Sequence, residues 1–131
     1  MKYKIGQSAE FSKTISESDV YTFAGITGDF NEVHINEVAA KKSVFGQRVV
    51  HGALTASLIS TVLGTILPGS GCIYLSQESR FLKSVKIGET VTARVEINEI
   101  DGNKLTLTTQ VFNQEHEVVL DGLARVKVTG E

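Results

Sequence analysis

The sequence predicts an α+β fold in which a curled antiparallel sheet wraps around one long central helix. An uncharged, mostly apolar run extends from Val49 to Leu67, which is long enough for a buried helix. From Cys72 onward the apolar residues recur at every second position, which is the period of a half-buried strand. The turn signal Asp101-Gly102-Asn103 separates two such strands as a hairpin. The chain of 131 residues is therefore expected to form a single domain, residues 1–131.

The first fifteen residues are predicted to contain a strand. Tyr3 and Ile5 alternate with lysines, and Phe11 supplies a second apolar anchor. This strand would precede the helical part of the chain.

Two short helices are predicted between this strand and the long helix. Ser16 is an N-cap followed by first-turn acids, and the helix it starts ends at Gly28. Ile26 is assigned to its apolar face. Asn36 is predicted to cap a second, brief helix that ends at Lys41-Lys42.

The long helix is predicted to span residues 52–67 and to be enclosed, because apolar residues occur on every side of it. Its length is close to the ~20 residues that cross a bilayer. Several serines and threonines within it, and the lack of a basic or aromatic anchor before Pro68, favour a core helix over a membrane span. Small residues form a stripe along it: Ala53, Ala56, Ser57, Ser60 and Gly64.

About four antiparallel strands are predicted after this helix. The first is expected to be interrupted around residues 77–80, and a bulge is expected at Asp121-Gly122. A sheet of this size must cover something with its apolar face, and the long helix is the available object. That arrangement is the hotdog fold.

Composition excludes several classes of function. A formal charge of −2 argues against a nucleic-acid-binding protein, which needs a basic face. The single Cys72 cannot form an internal disulfide and is assigned as a small apolar residue, which favours a reducing, cytoplasmic location. The first residues lack the apolar run of a signal peptide, and no membrane partner is expected.

Asp29 and His34 are the candidate acid/base pair, because a polar stretch with Gly28 and Asn31 favours a turn on which both side chains converge. A carboxylate and an imidazole can hold one water molecule and move its protons near neutral pH. The alternative is that Asp29 only caps the turn and that His34 is a surface or core histidine.

Gly52 opens the long helix, where backbone N–H groups have no partner within the helix. A carbonyl oxygen that gains negative charge could be stabilised there. The alternative is that Gly52 merely permits close packing.

These residues together resemble the MaoC-like (R)-specific enoyl-CoA hydratase family, and the similarity covers nearly the whole chain. The family signature is G-D-x-N-P-hydrophobic-H, and it is matched by Gly28, Asp29, Asn31, Val33 and His34. Val50-His51-Gly52 matches a second motif, and Glu32 stands where the family usually has proline. The missing proline removes a constraint that would stiffen the loop.

The resemblance implies a hydro-lyase that adds water to a trans-2-enoyl-CoA to give the (R)-3-hydroxyacyl-CoA, in fatty-acid or polyhydroxyalkanoate-type metabolism. It makes Asp29 and His34 catalytic, without assigning which of them makes each proton transfer. It makes the Gly52 N–H the donor to the thioester carbonyl and Ser60 a support for the catalytic carboxylate. Ser60 bonded to its own helix is an equal alternative. Asn31 is interpreted as holding the loop, and His51 as structural.

The resemblance also implies a homodimer with an acyl-CoA substrate, or one carried by acyl carrier protein (ACP). CoA or ACP belongs to the substrate, so no cofactor is expected, and the spacing of the histidines predicts no metal. Arg48, Lys83 and Lys86 are candidate contacts for the carrier's phosphates. The alternatives are a 3-hydroxyacyl-ACP dehydratase, a hotdog acyl-CoA thioesterase, and a non-catalytic acyl-thioester-binding protein. A thioesterase would leave the Asp29 and His34 pair without a role.

Overall fold

A computed structural model describes residues 2–130, which form one five-stranded antiparallel sheet and four helices. The strands are β1 (Ser8–Thr14), β2 (Cys72–Phe81), β3 (Thr90–Asp101), β4 (Lys104–Phe112) and β5 (Val118–Val128). Along the sheet the strand order is β1-β3-β4-β5-β2. The helices are α1 (Glu17–Thr27), α2 (Glu32–Ile35), α3 (Glu37–Lys41) and α4 (Gly52–Thr65).

The inner face of the sheet packs against α4. Strand β3 alternates strictly between half-buried and buried residues through Ile97, and β4 does so from Leu105 to Phe112, because only one face of each strand meets the helix. The helix contributes Leu58, Ile59, Val62 and Leu63 to this core. Full burial of one such side chain contributes about 1.5–3 kcal/mol. The predicted α+β hotdog architecture, a curled sheet around one long helix, is confirmed.

The N-terminal helices begin where the sequence predicts, but the first strand does not. Asn36 caps α3 as expected, whereas β1 begins at Ser8 and not near Tyr3. The chain turns at residues 4–7, where Gly6 has a φ of 91° and the Gln7 N–H donates to the Lys4 carbonyl. This turn breaks the alternation, so Ile5 is 69% exposed.

The sequence predicted that the long helix is enclosed on every side, and this prediction is wrong for the single chain. Ala53, Ser57, Ser60 and Gly64 form an exposed face of small residues. The helix also ends at Thr65, two residues earlier than expected, where the Ile66 and Leu67 N–H groups both donate to the Val62 carbonyl. None of the helices within residues 2–130 has the length and apolar content needed to span a membrane.

Strands β2 and β5 differ from the prediction in two places. β2 runs through residues 77–80 without interruption, and its irregularity lies between Tyr74 and Ser76. No bulge occurs at Asp121-Gly122, where β5 pairs in regular register with both neighbouring strands, and the register of β5 shifts opposite Val111 and Phe112 instead. A Cβ atom on Gly122 would lie 1.9 Å from the Glu78 carbonyl oxygen. The glycine therefore marks the close approach of β2 to β5.

Candidate active site

The segment between α1 and α2 is a pair of side-chain-capped turns. Gly28 ends α1 in the left-handed conformation with a φ of 83°. Asp29 Oδ1 then accepts the Asn31 N–H at 3.2 Å, and Asn31 Oδ1 accepts the Val33 N–H at 3.2 Å. Asn31 is thus the N-cap of α2, which matches its predicted role in holding the loop. His34 lies within this single helical turn and not on an open loop, which corrects the prediction.

Asp29 and His34 nevertheless converge. A carboxylate oxygen of Asp29 and one ring nitrogen each of His34 and His51 all lie within 4.8 Å of one another. Asp29 is exposed and His34 is half-buried, so water can reach the pair. Asp29 does cap the turn, as the alternative interpretation holds, but only through Oδ1, which accepts the Asn31 N–H.

The hydrogen bond of His34 determines which of its nitrogens is free. Nδ1 lies 2.7 Å from the carbonyl oxygen of Val49, and a carbonyl can only accept, so Nδ1 carries the proton. In the neutral ring Nε2 then has an unprotonated lone pair, which is the form that a general base needs.

The three converging side chains are poorly arranged for a metal ion. The rings of His34 and His51 are stacked, with centroids 3.9 Å apart and planes 26° from parallel. Their in-plane lone pairs therefore run side by side and do not point at one common position. One nitrogen of each ring also faces a backbone carbonyl.

The N-terminus of α4 offers a free backbone donor. His51 is the N-cap residue, but its side chain does not cap the helix, and no described residue accepts the Gly52 N–H. A Cβ atom on Gly52 would lie 2.9 Å from Cε1 of Phe81, so a larger residue would force this ring to shift from its place beside the amide. The importance of Phe81 was missed from sequence, since the ring comes from a distant strand.

A cavity of about 420 Å³ joins His34 to Gly52, and Asp29 is not among the residues that line it. His34, Asn31 and Gly52 lie on its wall, and most of the remaining wall is apolar. The other lining residues are Val33, Phe45, Val49, Val50, Thr55, Phe81, Leu82, Lys83, Ser84, Val85 and Val119. A ligand bound here would present a polar end to His34 and Gly52 and an apolar part to the wall.

Ser60 lies away from this cavity. It is exposed on α4, eight residues after Gly52, which places it about 12 Å further along the helix axis. Its hydroxyl makes no hydrogen bond within residues 2–130, neither to Asp29 nor to its own helix. The supporting role predicted for Ser60 is thus not formed within a single chain.

Arg48 and Lys83, two of the three basic residues predicted to contact the carrier's phosphates, are already paired. Arg48 pairs with Glu17 at 2.7 Å and donates to the Tyr21 hydroxyl at 2.7 Å. Tyr21 in turn donates to the Ile35 carbonyl, so this chain of contacts fixes α1 against α2. Lys83 lines the cavity but pairs with Glu117 at 2.6 Å. Arg48 is therefore a structural brace and not the free phosphate contact that the sequence suggested.

Cys72 is not arranged as a nucleophile. It is half-buried in β2, and burial raises the pKa of its thiol above the ordinary value. Less of the reactive thiolate is therefore present at neutral pH, which agrees with its assignment as a small apolar residue.

Comparison with known proteins identifies the family. Residues 2–119 match the MaoC like domain family. The chain is 47% identical to an (R)-specific enoyl-CoA hydratase of Rhodospirillum rubrum, over 95% of this chain and 88% of that protein. It is 46% identical to a 3-hydroxybutyryl-CoA dehydratase of Methylorubrum extorquens, over 95% and 80% of the two chains. The structure of the (R)-hydratase from A. caviae involved in PHA biosynthesis superposes with a TM-score of 0.95 at 38% identity and covers 98% of both chains. With the fold, the signature residues and the sequence similarity in agreement, this chain belongs to the MaoC-like domain family.

Proposed function

We propose that this chain catalyses the reversible (R)-specific hydration of trans-2-enoyl-CoA to (R)-3-hydroxyacyl-CoA. One observation carries the proposal: the Asp29 carboxylate converges with His34, and His34 shares a cavity with the free amide of Gly52. The relatives that are 47% and 46% identical bear names from the two directions of this reaction.

Water activation is assigned to Asp29 and His34. A water molecule held between them loses a proton to the pair while its oxygen bonds to C3 of the substrate. A proton then passes to C2 from the same side, which gives syn addition. The reverse sequence removes water from the hydroxyacyl thioester. Because the pair returns to its starting protonation state, the cycle needs no oxidant, reductant or cofactor.

The Gly52 N–H is assigned to the thioester carbonyl. As water adds to C3, negative charge moves onto the thioester oxygen, and an N–H at a helix N-terminus stabilises it. The amide is already oriented by the helix, so no reorganisation is needed when the charge develops. A single donor of this kind contributes about 10²–10³-fold to a rate.

The substrate's acyl chain is assigned to the apolar part of the cavity wall. Val33, Val49, Val50 and Phe81 line this region, while the carrier remains outside. CoA or ACP is part of the substrate, and no metal is required. The cytoplasmic location remains a prediction from the single Cys72.

A homodimer is proposed from the surface of the chain. Among the described strands β2 pairs only with β5, so its other edge has free backbone donors and acceptors. Ile73, Tyr74 and Leu75 on this strand are 40–48% exposed, and the small-residue face of α4 is also uncovered. A second copy pairing through β2 would cover both surfaces. Sedimentation analysis should give twice the chain mass, and an active monomer would contradict this assignment.

Crotonyl-CoA hydration tests the proposed reaction. Wild-type protein should consume the enoyl absorbance and yield only the (R)-3-hydroxy product, whereas Asp29→Asn and His34→Ala should lose nearly all activity. His116→Ala is the matched control, since this histidine is exposed in a turn outside the cavity. Release of free thiol without hydration would instead indicate a thioesterase. Binding of crotonyl-CoA without turnover would indicate a binding protein, and turnover restricted to an ACP-linked substrate would indicate an ACP dehydratase.

A further inference from the structure

His51 is a buried imidazole to which the proposed mechanism gives no role. Its side chain is 1% exposed. Its Nε2 atom lies 3.0 Å from the backbone carbonyl oxygen of Asp29. Its ring stacks on His34, and Phe23 packs against it with ring centroids 4.9 Å apart.

The hydrogen bond to Asp29 determines the tautomer of His51. A carbonyl oxygen can only accept, so Nε2 carries the proton and Nδ1 has a bare lone pair. Nδ1 is buried and has no hydrogen-bond partner within the described part of the chain. Buried polar atoms are rarely left without a hydrogen-bond partner, because the hydrogen bonds that they made to water are then not replaced. An apolar side chain of similar size would avoid this destabilisation. Core packing alone therefore does not account for an imidazole at this position.

His51 instead contacts each part of the proposed site. Its N–H holds the backbone of Asp29, and its ring face supports His34. Its own backbone is the N-cap of α4 and leads directly to the Gly52 amide. We infer that His51 is a positioning residue for the hydration reaction, which fixes Asp29 and His34 relative to Gly52 without touching substrate. This inference rests on the proposed function.

Three substitutions separate the contacts of His51. His51→Gln keeps an N–H donor at a comparable reach but removes the ring. His51→Phe keeps a ring against His34 but removes the donor. His51→Leu removes both, as well as the unpartnered Nδ1 atom. None of the three places a charge in the core, and thermal melting gives the folded fraction of each.

The expected result is a loss of kcat that exceeds any loss of folded protein. His51→Leu should lower kcat on the order of 100-fold, as expected when catalytic groups are displaced by about 1 Å. KM should change by less than about threefold, because binding contacts are kept. His51→Gln and His51→Phe should each recover part of kcat. A purely structural histidine would give kcat values that follow the folded fraction in all three variants, and that outcome overturns the inference.

A spectroscopic measurement keeps this test independent of the proposed reaction. Nitrogen-15 NMR of the wild-type histidine rings should show His51 as the neutral Nε2–H tautomer, and His51→Leu should shift the ring signals of His34. An Nδ1–H tautomer for His51, or unchanged His34 signals, would overturn the inference even in an active enzyme. A wild type with these signals but without hydratase activity would refute the proposed function, and with it any role of His51 in hydration, while the contacts of His51 would stand.

Discussion

The N-termini of α1 and α4 are built in opposite ways. At the start of α1, Ser16 and Asp19 form a reciprocal capping box in which each side chain accepts the other's backbone N–H. At the start of α4 the His51 side chain turns to Asp29 and makes no cap bond. One helix start is satisfied within the chain and contributes stability. The other leaves its donors free beside a cavity, where a bound ligand or water can accept from them.

Gly52→Ala, at the uncapped N-terminus of α4, should have the largest effect on activity. The added methyl group would push the Phe81 ring and crowd the free amide, so kcat should fall about 10²–10³-fold. Melting temperature should change little, because the position is exposed. Steady-state kinetics with crotonyl-CoA provide the measurement. The double variant Gly52→Ala with Phe81→Leu is the control and should regain part of the loss, whereas an unaffected single variant would refute the need for glycine beside this amide.

Ser16→Ala, in the capping box of α1, should lower stability and leave activity unchanged. Loss of the side-chain acceptor leaves the Asp19 N–H without its partner, and the free energy of unfolding should drop by about 0.5–2 kcal/mol. Activity per folded molecule should stay at the wild-type level, since α1 begins outside the cavity. Urea denaturation measures the free energy of unfolding. A lower kcat in fully folded Ser16→Ala protein would contradict the separation of stability at α1 from catalysis at α4.

Glu32→Pro sharpens the contrast at a third helix start, that of α2. Glu32 is the first residue of this helix, a position that favours proline. Asn31 has φ −53° and ψ 130°, which is compatible with a following proline. The free energy of unfolding should rise by about 0.4–1 kcal/mol through lower entropy of the unfolded chain. A denaturation midpoint below the wild-type value would show that the glutamate itself stabilises the turn.

Asp19→Asn should have the smallest effect and should depend on pH. The Ser16 backbone N–H, assisted by Lys13, holds the pKa of Asp19 below its ordinary value. The charge therefore stabilises the fold above the unfolded pKa of about 3.9, and this contribution is lost as pH falls through the folded pKa. At neutral pH the variant should lose about 0.3–1 kcal/mol. Below pH ~3 the two proteins should converge, and a constant difference at all pH values would contradict this origin.

Local signals in the sequence predicted much of the fold. The caps Ser16 and Asn36, the stop at Gly28 and the period of two in the strands all depend on neighbouring residues, and the structure has each of them. Errors occurred where distant contacts decide. The interruption expected in β2 and the bulge expected in β5 were inferred from polar residues and a glycine. The polar residues of β2 and the glycine of β5 instead lie where these two strands pair closely, which no local pattern reveals.

The site divides in the same way. The convergence of Asp29 with His34 was predictable because turn-forming residues separate them in sequence. The stacking of His51 on His34 and the packing of Phe81 beside Gly52 were not, since each joins elements that meet only in the folded chain. The exposed position of Ser60 was also unpredictable, because the sequence gives the faces of α4 but not which face remains uncovered.

The absent side chain at Gly122 has a consequence beyond its own strand. Because the Glu78 carbonyl occupies the space where a methyl group would sit, any larger residue must force β2 away from β5. β2 is also the strand whose open edge would meet a second subunit. We therefore expect a substitution at this site, although it lies outside the cavity, to reveal itself as subunit dissociation upon dilution.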